Sequence, residues 1–141
     1  MTALFSKILV ATDGSELNRS AVEEALRIAR ACGSTICAVY VADTGSMESG
    51  PADLIGGVWD ILEREGVEAL NRIRAQAYGL HLEPVLLQGK PAEEIVRYAM
   101  EKKIELIVIG TKGKRGSERI LLGSVAENVI RSAPCKVLVV K

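Results

Sequence analysis

Residues 7–41, KILVATDGSELNRSAVEEALRIARACGSTICAVYV, carry the reading that decides the fold class. Lys7–Thr12 is a short apolar run closed by Asp13-Gly14-Ser15, the pattern of a strand followed by a turn. From Leu17 onward, Ala21, Val22, Ala25, Leu26, Ile28 and Ala29 recur at helical spacing. Gly33 ends that helix, because glycine adopts the left-handed backbone of a helix terminus without steric penalty. Thr35–Val41 is rich in β-forming residues and almost continuously apolar, so it reads as a strand buried on both faces. A strand, a helix and a second strand of this kind form a βαβ unit, which implies parallel pairing.

The alternation continues to the end of the chain. Residues 43–57 hold four Gly, two Ser and Pro51 without a clean period, and are expected to form a long connection. A helix follows on Val58, Ile61, Leu62, Ala69, Leu70, Ile73 and Ala77, and Gly79 closes it. His81–Leu87 reads as a third strand, with Pro84 pointing to a sheet edge. Pro91 opens a helix whose buried stripe is Ile95, Val96, Ala99 and Met100, with Glu93 and Glu94 favourably placed in its first turn. Glu105–Ile109 is a fourth strand, residues 124–132 a helix, and Lys136–Val140 a fifth strand. The expectation is an α/β fold: an open doubly wound five-stranded parallel sheet, order 3-2-1-4-5, with helices on both faces. Ligands of such sheets bind beyond the strand C-termini where the winding reverses, here between strands one and four.

Composition narrows the function classes. The chain has 141 residues, 48% hydrophobic and 26% charged, which suits a single domain over 1–141 with its own core. Eighteen basic residues balance eighteen acidic ones, giving no general attraction to nucleic acid or an anionic membrane. No run approaches the roughly 20 apolar residues of a membrane span, and the first residues carry no secretory-signal pattern. A cytoplasmic protein is expected. Cys32, Cys37 and Cys135 form no CxxC pair and have only His81 beside them, so they read as small buried thiols rather than disulfides or zinc ligands.

Both loops at the reversal point are small and polar: Thr12–Ser15, and Gly110–Ser124, read GTKGKRGSERILLGS. The second is neither a Walker A loop nor GxGxxG. Its glycines still allow backbone N–H groups to approach a phosphate, and it runs into a helix N-terminus. Lys112, Lys114, Arg115 and Arg119 against Glu118 make it locally basic. The structural alternative is a solvated loop ending in a capping box, Ser124-Val-Ala-Glu127. Spacing alone leaves both open.

Gly110-x2-Gly113-x9-Gly123-Ser124 after the ELIVI strand resembles the ATP-binding signature of the universal stress protein family. The opening KILVATDGSELNRSAVEEAL and closing SVAENVIRSAPCKVLVVK are similar to that family's two ends. The resemblance implies ATP and Mg²⁺ as ligands. It places Asp13 near the ribose or a phosphate-bound metal, Ala11 and Thr12 along the nucleoside, and Val41 against adenine. Ile109 and Gly110 would form the wall beneath the nucleoside. Gly113, Gly123, Ser124 and Val125 would contact phosphate, with Arg115 a further basic contact. It also implies a homodimer through the C-terminal strand and a nucleotide-dependent stress-response role with an unidentified protein partner.

Other residues carry less chemistry. His81 is expected at the surface, away from the crevice, and Lys90-Pro91 only marks a helix start. Trp59, Tyr78 and Tyr40 read as packing residues. With one His and a solitary Asp13, no hydrolytic triad or carboxylate pair can be assigned, so at most slow ATP hydrolysis is expected. The alternatives are a flavin- or adenylate-handling enzyme of the related adenine-nucleotide α-hydrolase fold, and a nucleotide-free interaction module.

Overall fold

Lys7–Thr12 forms β1, the strand around which the sheet is built. The computed structural model describes residues 4–45, 52–113 and 121–141, with the backbone alone at 52–55. On one side of β1 lies β2 (Thr35–Asp43), then β3 (His81–Gly89) at the edge; on the other lie β4 (Leu106–Gly110) and β5 (Lys136–Val140). Every neighbouring pair is parallel, in the order β3-β2-β1-β4-β5. The edge place of β3 tolerates Pro84, which stands opposite Ala38.

Among the described residues, four helices cover the two faces: α1 (Arg19–Cys32), α2 (Ala52–Gln76), α3 (Pro91–Glu101) and α4 (Ser124–Ser132). Alternation along the strands sorts the core. Ile8, Val10, Ile36, Ala38, Tyr40 and Val108 pack with α1 and α2. Leu9, Ala11, Val39, Ile107 and Ile109 pack with α3 and α4. Ile8, Leu9 and Val10 are fully buried, each contributing about 1.5–3 kcal/mol of apolar burial. Because α1 and α2 advance the sheet one way and α3 returns the chain across β1, the winding reverses between β1 and β4.

Several elements differ from the sequence expectations. The connection assigned to 43–57 is shorter: β2 continues to Asp43 and α2 begins at Ala52; residues 46–51 lie outside the described residues. Gly56 and Gly57 lie within α2, where a glycine costs a helix only about 1 kcal/mol and so does not end it. A short 3-10 turn (Glu16–Asn18) precedes α1, leaving Leu17 half exposed. Ile61 and Met100, read as stripe residues, are largely exposed, and Tyr98 takes the buried place on α3. Tyr40 is core, and Trp59 is partly buried against the same apolar cluster. Tyr78 is exposed instead, with the Arg30 guanidinium 5.5 Å from its ring centroid.

All three cysteines are free; Cys37 is buried, whereas Cys32 and Cys135 are half-buried. The Cys37 thiol donates to Glu83 Oε2 at 3.6 Å. Burial, reinforced by the Glu83 charge, pushes that thiol from 9.0 to about 11. Burial and the neighbouring Cys37 push the Tyr98 phenol to about 12.

Two outcomes follow. Since an added Cβ meets nothing within 4 Å at Gly56 or Gly57, Gly56→Ala and Gly57→Ala should each stabilise the fold by about 0.5–1 kcal/mol, read as a higher urea midpoint at constant slope. Above pH 9 the unfolded chain releases a Cys37 proton that the folded chain keeps. Stability should therefore fall as pH rises towards about 11. Cys37→Ala should reduce that slope in pH-dependent denaturation.

Candidate functional site

The turn leaving β1 is held by side chains at every backbone position. The Asp13 N–H donates to Asn18 Oδ1 at 2.6 Å, the Gly14 N–H to Thr12 Oγ1 at 3.1 Å, and the Ser15 N–H to Asp13 Oδ1 at 2.9 Å. The Ser15 hydroxyl also donates to Asp13 Oδ1, at 2.6 Å. Gly14 needs its freedom here: its φ is +80°, and its carbonyl accepts from Arg72 of α2 at 3.1 Å. With three successive N–H groups engaged, this turn presents a carboxylate and is not itself an anion cradle.

The other loop meets that carboxylate. A Cβ on Gly113 would stand 2.8 Å from Asp13 Oδ2, so only glycine fits against the aspartate without displacement. The Gly123 N–H donates to the Thr111 carbonyl at 2.5 Å, and the Thr111 N–H to the Val140 carbonyl at 3.1 Å. Gly123 is itself the N-cap of α4, with no side-chain cap bond. The expected capping box is therefore not formed: Ser124 is the first helical residue, and the Glu127 carboxylate accepts from Arg131 at 2.6 Å. Ser124 is exposed at a helix start whose leading N–H groups favour negative charge.

The predicted residues divide into groups. Ala11, Ile109, Val41 and Val125 share the apolar cluster beneath α3 and α4. Thr12 is buried and points into the turn, Asp13 faces Gly113, and Gly110 adjoins Asn18. Gly123 and Ser124 start α4. Arg115, with Lys114 and Arg119, lies outside the described residues. His81 is exposed at the opposite end of the sheet, 3.4 Å from Glu83 Oε1.

A cleft of about 840 Å³ running along α3 and α4 adds Asp43, Lys90 and Asn128 to Ser124 and Val125. Lys90 had looked like a helix start only. Its signal was topological, since the C-terminal ends of all parallel strands share one end of the sheet, and Lys90 follows β3. Asn18 was also missed, because the helical spacing is read from Leu17 onward and a polar residue inside that run carries no signal of its own. Among the described residues, no group of three His, Cys, Asp or Glu residues is arranged to hold a metal ion.

The universal stress protein family model matches residues 4–141. Universal stress protein MJ0531 of Methanocaldococcus jannaschii is 44% identical over 144 residues, spanning 98% of this chain and 83% of that relative. The chain belongs to the universal stress protein family. The solved structure of protein MJ0577, from the same organism, superposes with a TM-score of 0.88 at 29% identity, covering 98% of this chain and 96% of the other. A universal stress protein of Archaeoglobus fulgidus, solved with dAMP, gives 0.66 at 28% identity, with 98% and 99% covered. A universal stress protein solved with cAMP gives 0.71 at 29% identity, with 97% of each chain covered.

Proposed function

We propose that residues 1–141 form one nucleotide-binding domain that takes an adenine nucleotide, ATP with Mg²⁺, in the crevice between the ends of β1 and β4. The observation that carries this reading is the close approach of the Asp13 carboxylate to Gly113, beside a helix start without a side-chain cap. Relatives solved with dAMP and cAMP support the adenine class. In this reading Ala11, Val41, Ile109 and Gly110 line the nucleoside, and the α4 start at Gly123, Ser124 and Val125 receives phosphate together with Gly113 and Arg115. A single carboxylate suits Mg²⁺, which keeps several waters and is commonly shared between one or two carboxylates and substrate phosphates. Asp13 would hold it, and the metal would neutralise phosphate charge.

The proposed role is nucleotide-dependent regulation in a stress response, in the cytoplasm, with at most slow hydrolysis and a protein partner. Among the described residues no helix is long and apolar enough to cross a membrane.

A homodimer through β5 belongs to the same proposal. Among the described residues β5 pairs only with β4, and its Val137–Val140 side chains are half-buried. The Val140 carbonyl faces β4. In a strand, the peptide groups of alternate residues point the same way, so those of Leu138 also face β4 and those of Val137 and Val139 point outward. Proline at 139 would thus remove an outward donor while sparing the β4 ladder, whereas Leu138→Pro would break the sheet itself.

Calorimetric titration of nucleotide-stripped protein with ATP and Mg²⁺ should show micromolar binding of one nucleotide per chain. Asp13→Asn should weaken it by about tenfold or more, the scale of a lost charged contact. Absence of binding by calorimetry and by a second probe would overturn the nucleotide reading. Sedimentation should give a dimer for the wild type and a folded monomer for Val139→Pro; a wild-type monomer at micromolar concentration would overturn the pairing.

A further inference from the structure

Asn18 stands where a helix cap is expected and does something else. It occupies the N-cap position of α1 with φ −88° and ψ −8°, yet makes no side-chain cap bond. The preceding 3-10 turn already serves the helix entrance, with the Arg19 N–H donating to the Glu16 carbonyl. The Asn18 carboxamide is turned back towards the sheet, where the residue is only 6% exposed. Its Oδ1 accepts from the Asp13 N–H at 2.6 Å. Its Nδ2 lies 3.0 Å from the place a Cβ on Gly110 would take.

One buried side chain therefore touches both exits of the reversal point, the end of β1 and the end of β4. The bond from the Asp13 N–H fixes the backbone of the turn from which the Asp13 carboxylate approaches Gly113. Gly110 gains a second reason to lack a side chain, because the carboxamide fills the space above it. We propose that Asn18 is a positioning residue: it sets Asp13 and Gly110 relative to each other without contacting ligand, and the crevice's affinity depends on it. This rests on the nucleotide reading for its affinity consequence, and on the hydrogen bond alone for its structural one.

The test uses Asn18→Leu, which keeps the branched shape and loses the acceptor, and Asn18→Asp, which keeps an acceptor oxygen. Amide exchange at Asp13 is read by NMR without nucleotide, and ATP affinity with Mg²⁺ by calorimetry. Expected are slow Asp13 exchange in the wild type and Asn18→Asp, and fast exchange in Asn18→Leu. Asn18→Leu should also bind ATP about tenfold or more weakly, the scale of a lost buried hydrogen bond, while melting cooperatively. If Asn18→Leu fails to fold, the smaller Asn18→Ala, which also lacks the acceptor, is read in the same way. A folded variant lacking the acceptor that keeps wild-type affinity overturns the proposal. So does lost affinity with Asp13 exchange unchanged. A wild type that binds no nucleotide instead overturns the functional reading, and the exchange measurement still decides the role of the hydrogen bond.

Discussion

Burial of β1 on both faces is the constraint from which the rest of the architecture descends. Ile8, Leu9 and Val10 are fully enclosed, so helices must cover the sheet above and below. Parallel pairing on each side of β1 forces every connection to cross over the sheet. Covering both faces while extending the sheet in both directions requires the winding to reverse somewhere, and here it reverses at β1 and β4. The crevice at their ends is a consequence of closing the core, and it is where the Asp13 carboxylate meets Gly113.

Close approach then determines the details at that end. The glycines of the loop signature serve three different neighbours. Gly110 makes room for the Asn18 carboxamide, Gly113 for the Asp13 carboxylate, and Gly123 for the Thr111 carbonyl, which lies 3.2 Å from a hypothetical Cβ. A side chain at 123 would therefore strain the loop as well as occupy any phosphate space. Gly66 shows the same economy in the core. Its missing side chain lets α2 settle on Tyr40 and Leu86, whose nearest atoms are 2.7 Å from the Cβ position. Gly56 and Gly57 on the same helix face open space and have no such neighbour.

The two clusters also explain which stripe positions were read correctly. Ala69, Leu70 and Ile73 lie against the sheet and are buried. Ile61 continues the same apolar pattern but is exposed, because helical spacing records which residues are apolar and not where the partner surface lies. On α3 the spacing placed Met100 inside, yet Tyr98 has the buried position, its phenol meeting Cys37 beneath the helix.

Strand number, strand order and two-sided burial were legible from residues alone, because apolar period and glycine punctuation are local properties of the chain. So was the meeting of Asp13 with the Gly110–Ser124 loop, since topology alone brings the ends of β1 and β4 together. Tertiary structure decided what local signals leave ambiguous. Ser124 could cap a helix, but Gly123 takes that place. Asn18 could cap a helix, but it holds Asp13. Lys90 could merely open α3, but it lines the cleft beside α4. The role each of these polar residues takes depends on how elements far apart in the chain pack together, which no local signal records.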